Sequence, residues 1–311
     1  MANKIVVGYD GSDASKAALD KAIELAKCGG GGTDAEITVV CGQDVPPAWV
    51  TYRGPTVEAQ AYVEQIEKEI AADLEEAAKR SLEALNGRAL ISSVGIYGNP
   101  LQDAQTEKDW ETLIHKARLF GCDVVCGFAG ALEDRPVDQN MERFKEVWGR
   151  LSRVAADCGV RIAFENCDMG GTWEAPRWNI AHSPRAWEMM FDAVPAENLG
   201  LEWEPCHQMV SLVDPIAQLR KWVGRIFHLH GKDATVAWDV IRERGIRGGA
   251  PYVWHRTPGF GDCNWADIIS ILRMGGFRGA IDIEGWHDPI YRDELEMTGQ
   301  VHGLHYLKRC R

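Results

Sequence analysis

The sequence predicts an α/β protein of the (βα)8 barrel type, and three observations carry that prediction. Short apolar segments alternate with amphipathic ones along the whole chain, the pattern of parallel strands buried on both faces. Eight such strand–helix pairs can be counted, the number that closes a barrel. No Gly/Ser/Pro-rich tether divides the 311 residues, and a barrel of this type takes roughly 250 residues. A two-stranded parallel sheet split off near residue 90 would bury too little to stand alone.

Lys4–Gly8 (KIVVG) is the first strand. A helix from about Ala14 to Lys27 follows, with Ser12 as N-cap and the Gly29–Gly32 run as its stop. Glu36–Cys41 (EITVVC) is the second strand, and a long amphipathic helix spans about Glu58–Leu85. Further strands are expected near Leu90–Ile96, Asp123–Gly127, Arg161–Phe164, Asn198–Glu202, Arg225–His230 and Gly279–Ile283. The helices between them are expected over Glu107–Phe120, Gln139–Cys158, Pro184–Asp192, Pro215–Trp222 and Trp265–Met274, with a last one toward Tyr306.

With 45% hydrophobic and 26% charged residues the composition is that of an ordinary globular protein. The net charge of −12 is shared evenly between residues 1–88 and the remainder. No basic face emerges, which argues against nucleic acid or an anionic membrane as partner. No apolar run reaches spanning length and no leader pattern opens the chain, so a cytoplasmic location is expected. The nine cysteines are odd in number and lack a CxxC, so packed thiols are expected and not a disulfide framework.

Several linked motifs lie in the last two-thirds: SSVGIYGNPL at 92–101, AFEN at 163–166, LEWEPCHQM at 201–209, RIFHLHGKDA at 225–234, PGFGDCNW at 258–265 and AIDIEGWHDP at 280–289. Their order and spacing make residues from about 89 to 311 resemble the xylose isomerase-like superfamily of sugar isomerases and epimerases. About the first 88 residues resemble a universal stress protein, through KIVVGYDGSDASKAALDKAIELAK and EITVVCGQDVPP. The resemblance thus implies a chimera in one barrel: two βα units from a doubly wound, flavodoxin-like fragment and six from an isomerase-like one. Asp10 matches the stress-protein residue at the adenine ring, but that family's later Gly-rich phosphate loop is absent, so ATP is not expected.

Working residues of (βα)8 enzymes sit at the C-terminal ends of strands. Glu165, Glu204, His230 and Glu284 occupy four such ends. In the resembled family these positions hold one divalent ion, and three carboxylates with one imidazole suit Mn, Mg or Co, with Zn also possible. Glu204 stands where that family usually has Asp in a D-x-x-H pattern. The resemblance makes His207 a substrate-binding residue and Lys232 and Asp233 candidate substrate contacts. Glu165 and Glu284 become the acid/base pair of a proton transfer through an enediolate on a small sugar-like substrate. By strand parity Glu202, His228 and Asp282 share the ligands' face one layer deeper, His228 as a satisfied core histidine. The stretch from Ala234 to Asp262 is long for a βα loop and reads equally as a lid or as a solvated helix with packed indoles. Because the loops after strands one and two are foreign to sugar pockets, retained metal binding with weak or lost turnover is expected. The rival expectation is an engineered or recombined scaffold with no enzymatic function.

Overall fold

The computed structural model describes residues 4–9, 17, 20, 36–41, 72, 75–83, 90–285 and 287–311. Seven strands pair in chain order: β1 (Lys4–Tyr9), β2 (Glu36–Cys41), β3 (Val94–Ile96), β4 (Val124–Gly127), β5 (Arg161–Glu165), β6 (Leu199–Trp203) and β7 (Ile226–Gly231). A separate antiparallel ribbon follows, β8 (Asp233–Val236) with β9 (Val253–Arg256). The chain then returns as β10 (Ile281–Ile283), parallel to β7, giving one eight-stranded sheet. Every pairing in that sheet is parallel. β10 also approaches β1, so the sheet curls round on itself in the manner of a TIM barrel. The helices expected at 14–27 and 58–85 lie mostly outside the described residues, of which 17, 20, 72 and 75–83 are helical.

Helices α1 (Ala104–Lys116), α2 (Met141–Asp157) and α3 (Pro184–Ala193) cover the sheet over β3 to β6. Spacing decides which side of α2 is inside: Phe144, Val147, Trp148 and Leu151 recur every three or four residues and all are buried. Trp148 meets Phe164 of β5 and Trp110 of α1 edge-on, with ring centroids 4.6 and 4.8 Å apart. Its indole N–H donates to the Ala129 carbonyl at 2.8 Å, so the large ring is buried without an orphaned donor. Gly127 ends β4 at φ 147°, where a Cβ would stand 1.8 Å from the Ile96 carbonyl oxygen. Only glycine lets β3 and β4 lie this close at their functional ends.

The remaining helices are α4 (Pro205–Val210), α5 (Pro215–Trp222), α6 (Trp238–Arg244), α7 (Trp265–Met274) and α8 (Glu296–Arg309). α5 and α7 have the bounds expected from sequence, because Asp214 and Asn264 cap them with side-chain oxygens. Three features differ from expectation. Only Val94–Ile96 of the third strand is ladder-paired, and Leu90 is exposed. The expected helix to Phe120 starts earlier, on the Asp103 cap, and finishes as a 3-10 turn closed by Gly121 at φ 76°. α4 was not anticipated at all. The stretch from Ala234 to Asp262 is a ribbon plus the short α6, which buries none of its residues.

Candidate metal centre

Each candidate ligand is delivered by the end of a different strand. Glu165 is the last residue of β5, Glu204 follows β6, His230 is the penultimate residue of β7, and Glu284 follows β10. The strand ends are fixed by amides. Asn179 donates from Nδ2 to the carbonyls of Glu165 and Cys167, both at 2.8 Å. Asn166 brackets Glu204, accepting its backbone N–H at 2.8 Å and donating to its carbonyl at 2.9 Å. Pro205 at the first position of α4 then turns the chain away, leaving the Glu204 side chain in the interior.

The four side chains converge: one ligand atom from each of Glu165, Glu204, His230 and Glu284 lies within 4.8 Å of all the others. His230 is central, its Nδ1 3.2 Å from both Glu165 Oε1 and Glu284 Oε2. Its other ring nitrogen, Nε2, is 3.1 Å from Glu202 Oε1. With Nε2 turned to Glu202, Nδ1 is the ring nitrogen that faces the carboxylates, and it is the one a bound ion would take in place of a proton.

Beneath this layer lies a hydrogen-bonded one. His228 bonds Glu202 through Nδ1 and Asp282 through Nε2, both at 2.8 Å. Ser92 Oγ donates to Asp282 at 2.6 Å, and the Tyr97 hydroxyl donates to Glu202 at 2.9 Å. His228 is thus a satisfied core histidine, at the deeper level that strand parity implies. The serines and Tyr97 were not foreseen as partners. Their signal was the SSVGIY segment itself, which sets three hydroxyl side chains within six residues.

Lys232 is buried and reaches into the cluster, its Nζ 2.8 Å from Glu284 Oε1 and 3.8 Å from Glu204 Oε2. His207 Nε2 lies 2.8 Å from Glu204 Oε1. Two further imidazoles stand at the rim: His255 faces His207 with centroids 5.3 Å apart, and His287 Nε2 is 2.9 Å from Glu284 Oε1. From sequence His255 is only one of the residues carried by the long stretch after β7, and His287 has no assigned role. Asp233 is held by four donors of its own chain. Its oxygens accept from the backbone N–H groups of Ala234, Cys263 and Gly259 and from the Trp265 indole. It ties the ribbon to the start of α7.

Burial and charge set the protonation of the cluster. Burial pushes Glu204 up to about 7 and raises Glu165 as well, against the pull of His230. Burial acts on Glu284 too, but Lys232 and His230 outweigh it and hold Glu284 well below the usual carboxylate range. His207 is driven down to about 4 by burial and by the Lys232 charge.

The residues fit a cation. Both oxygens of Glu204, Nδ1 of His230 and Oε2 of Glu284 are buried without a hydrogen-bond partner among the described residues. Their close neighbours lie off the line that a hydrogen bond needs. Each such orphan costs about 1–3 kcal/mol, and an ion held among these three residues and Glu165 would satisfy them.

The family model described as Xylose isomerase-like TIM barrel matches residues 49–310. An inosose dehydratase of Clostridium botulinum is 29% identical over 167 residues, 51% of this chain and 51% of that protein. The chain spans about half the length of the first curated relatives it matches. Among solved structures, an L-ribulose 3-epimerase superposes with TM-score 0.64 and 13% identity, covering 100% of this chain and 96% of the other. The IolI protein, solved with a zinc atom, gives TM-score 0.59 at 15% identity, covering 99% and 96%. These two show a shared fold. The family match takes in every strand that delivers a residue to the cluster, so the chain belongs to the xylose isomerase-like TIM barrel family.

Proposed function

We propose that the chain holds one divalent ion through Glu165, Glu204, His230 and Glu284 and isomerises or epimerises a small sugar or related polyol. The observation that carries this reading is the convergence of Glu165, Glu204, His230 and Glu284 from four strand ends, three of them with buried ligand atoms that lack a hydrogen-bond partner among the described residues. The oxygen-rich donor set suits Mn, Mg or Co, and zinc is supported by the IolI likeness. A bound divalent ion supplies Lewis-acid stabilisation of negative charge on substrate oxygens.

The chain's own groups move the proton. Glu284, kept ionised by Lys232 at 2.8 Å, accepts the carbon-bound proton. Glu165, delivered by β5 and 3.2 Å from His230 Nδ1, returns a proton to the substrate. Lys232 and His207 border the space and supply donors to substrate hydroxyls. The homologous inosose dehydratases and isomerase make keto-inositols a substrate class to include.

A second reading is a scaffold that keeps the ion and lacks turnover. It is favoured by the start of the family match at residue 49, which leaves the segment most similar to universal stress proteins outside it. On that reading the loops after β1 and β2 do not close a sugar pocket, and turnover is weak or lost.

The two are separated by incubating Mn²⁺- or Co²⁺-loaded protein in D2O with ketoses, aldoses and keto-inositols. Deuterium should appear at a carbon next to the carbonyl. Glu284→Gln should slow the exchange about 10²–10⁴-fold, the range for a lost general base, with the ion retained. Bound metal with no exchange on any of these compounds would establish the scaffold reading instead.

A further inference from the structure

Beside the glutamate cluster the chain brings together a second donor set of different chemistry. The Cys167 thiol, the Asp168 carboxylate and the His207 imidazole each place an atom within 4.8 Å of the other two. They arrive from two directions. Cys167 and Asp168 follow Glu165 and Asn166 in the loop leaving β5, whereas His207 stands on α4, which begins immediately after Glu204.

The loop is held in this position independently of any ion. Asn179 fixes the Cys167 carbonyl at 2.8 Å, and Met169 adopts φ 51°, which turns the chain back. That turn sets the Met169 thioether 3.5 Å from Cys167 Sγ. The Asp168 carboxylate accepts the Gly170 N–H at 2.8 Å through Oδ1, and that contact is compatible with ligation through Oδ2. His182 is 8% exposed, its Nε2 has no hydrogen-bond partner among the described residues, and burial lowers its pKa against the pull of Asp168.

We infer that Cys167, Asp168 and His207 form a second cation site adjoining the first, suited to a borderline or soft divalent ion such as zinc. A thiolate, an imidazole and one carboxylate, with a thioether alongside, select zinc or cobalt over magnesium and manganese. The two centres adjoin at His207, whose Nε2 lies 2.8 Å from Glu204 Oε1 of the first. Occupancy of the second would make His207 a ligand in place of a substrate contact. The proposal does not depend on the sugar chemistry, only on this donor geometry.

Cobalt is the probe, because a thiolate bound to Co²⁺ gives an intense near-ultraviolet charge-transfer band that carboxylates and imidazoles lack. Full-length protein is stripped with chelator, then titrated with Co²⁺ and, in parallel, with Mn²⁺. Co²⁺ should bind at two per chain with the thiolate band present, and Mn²⁺ at one per chain. Cys167→Ser should abolish the band and lower the Co²⁺ stoichiometry to one, with Mn²⁺ binding unchanged. Asp168→Asn, a milder change in case the serine variant folds poorly, should weaken the second Co²⁺ at least tenfold. Glu165→Ala should remove the Mn²⁺ site and leave the band, so failure of either centre is read separately. A single Co²⁺ without the band, or a band that persists in Cys167→Ser, would overturn the inference.

Discussion

Buried carboxylates in this chain divide by whether their oxygens are already engaged. Asp233, Glu202 and Asp288 have their oxygens met by hydrogen-bond donors, whereas Glu204 has none and Glu284 keeps one oxygen free. Sequence shows that a carboxylate stands at a strand end; it does not show which donors fold back onto it. That is why Glu165, Glu204 and Glu284 were legible as a cluster, whereas the four donors on Asp233 were not. Asp288 illustrates the engaged kind. Its Oδ2 accepts from Arg256 Nε and the Thr257 N–H, and its Oδ1 from the N–H groups of Ile290 and Tyr291. Burial alone would raise its pKa, but these donors lower it below the ordinary value. A depressed folded value means the contribution is complete above the unfolded carboxylate pKa, about 3.9, and fades as pH falls through the folded one. Asp288→Asn keeps one acceptor and turns a donor on Arg256 and Thr257. It should lose about 1–3 kcal/mol at neutral pH, measured by urea unfolding. The gap to the parent should narrow below about pH 4; a gap that widens there would show that the charge is not the cause.

Elements with strong boundary chemistry were the legible ones. α5 and α7 stand where sequence put them because an acidic or amide cap precedes a periodic apolar stretch. α4 has six residues, too few for a period, and its start is signalled only by Pro205. The ribbon of β8 and β9 was hidden because its two strands are separated by α6 and pair antiparallel inside what the βα pattern treats as a single loop. The cap on α5 can be tested directly. Asp214 accepts from the N–H groups of Ile216 and Ala217 at 2.8 and 3.4 Å. Asp214→Ala should cost about 1 kcal/mol, a drop in Tm on the order of 2 °C for a chain of this size. Asp214→Asn, which keeps an accepting oxygen, should lose less. Equal losses for the two would assign the effect to something other than the cap.

At the scale of the whole molecule, the eight-stranded order and the parallel register were readable from the alternation of apolar and amphipathic segments. The expected fragment boundary near residue 88 has no counterpart in the family match, which begins at residue 49. We hold the two-fragment origin as a proposal resting on the stress-protein motifs in the first 48 residues. No helix among the described residues is long and apolar enough to cross a membrane. The proposed metal centre would be a whole-molecule property, since the ends of β5, β6, β7 and β10 each bring one candidate donor and none would suffice alone.

The most direct test of that centre is Mn²⁺ binding to chelator-stripped protein, followed by calorimetry or equilibrium dialysis. The expected result is about one ion per chain, abolished in Glu165→Ala, His230→Ala and Glu284→Ala and preserved or tightened in Glu204→Asp. Ion present at a hundredfold excess over its Kd should also stabilise the fold by about 2.7 kcal/mol, seen as a rise in Tm. A chain that binds no Mn²⁺, or binds it equally well after those alanine substitutions, would contradict the assignment.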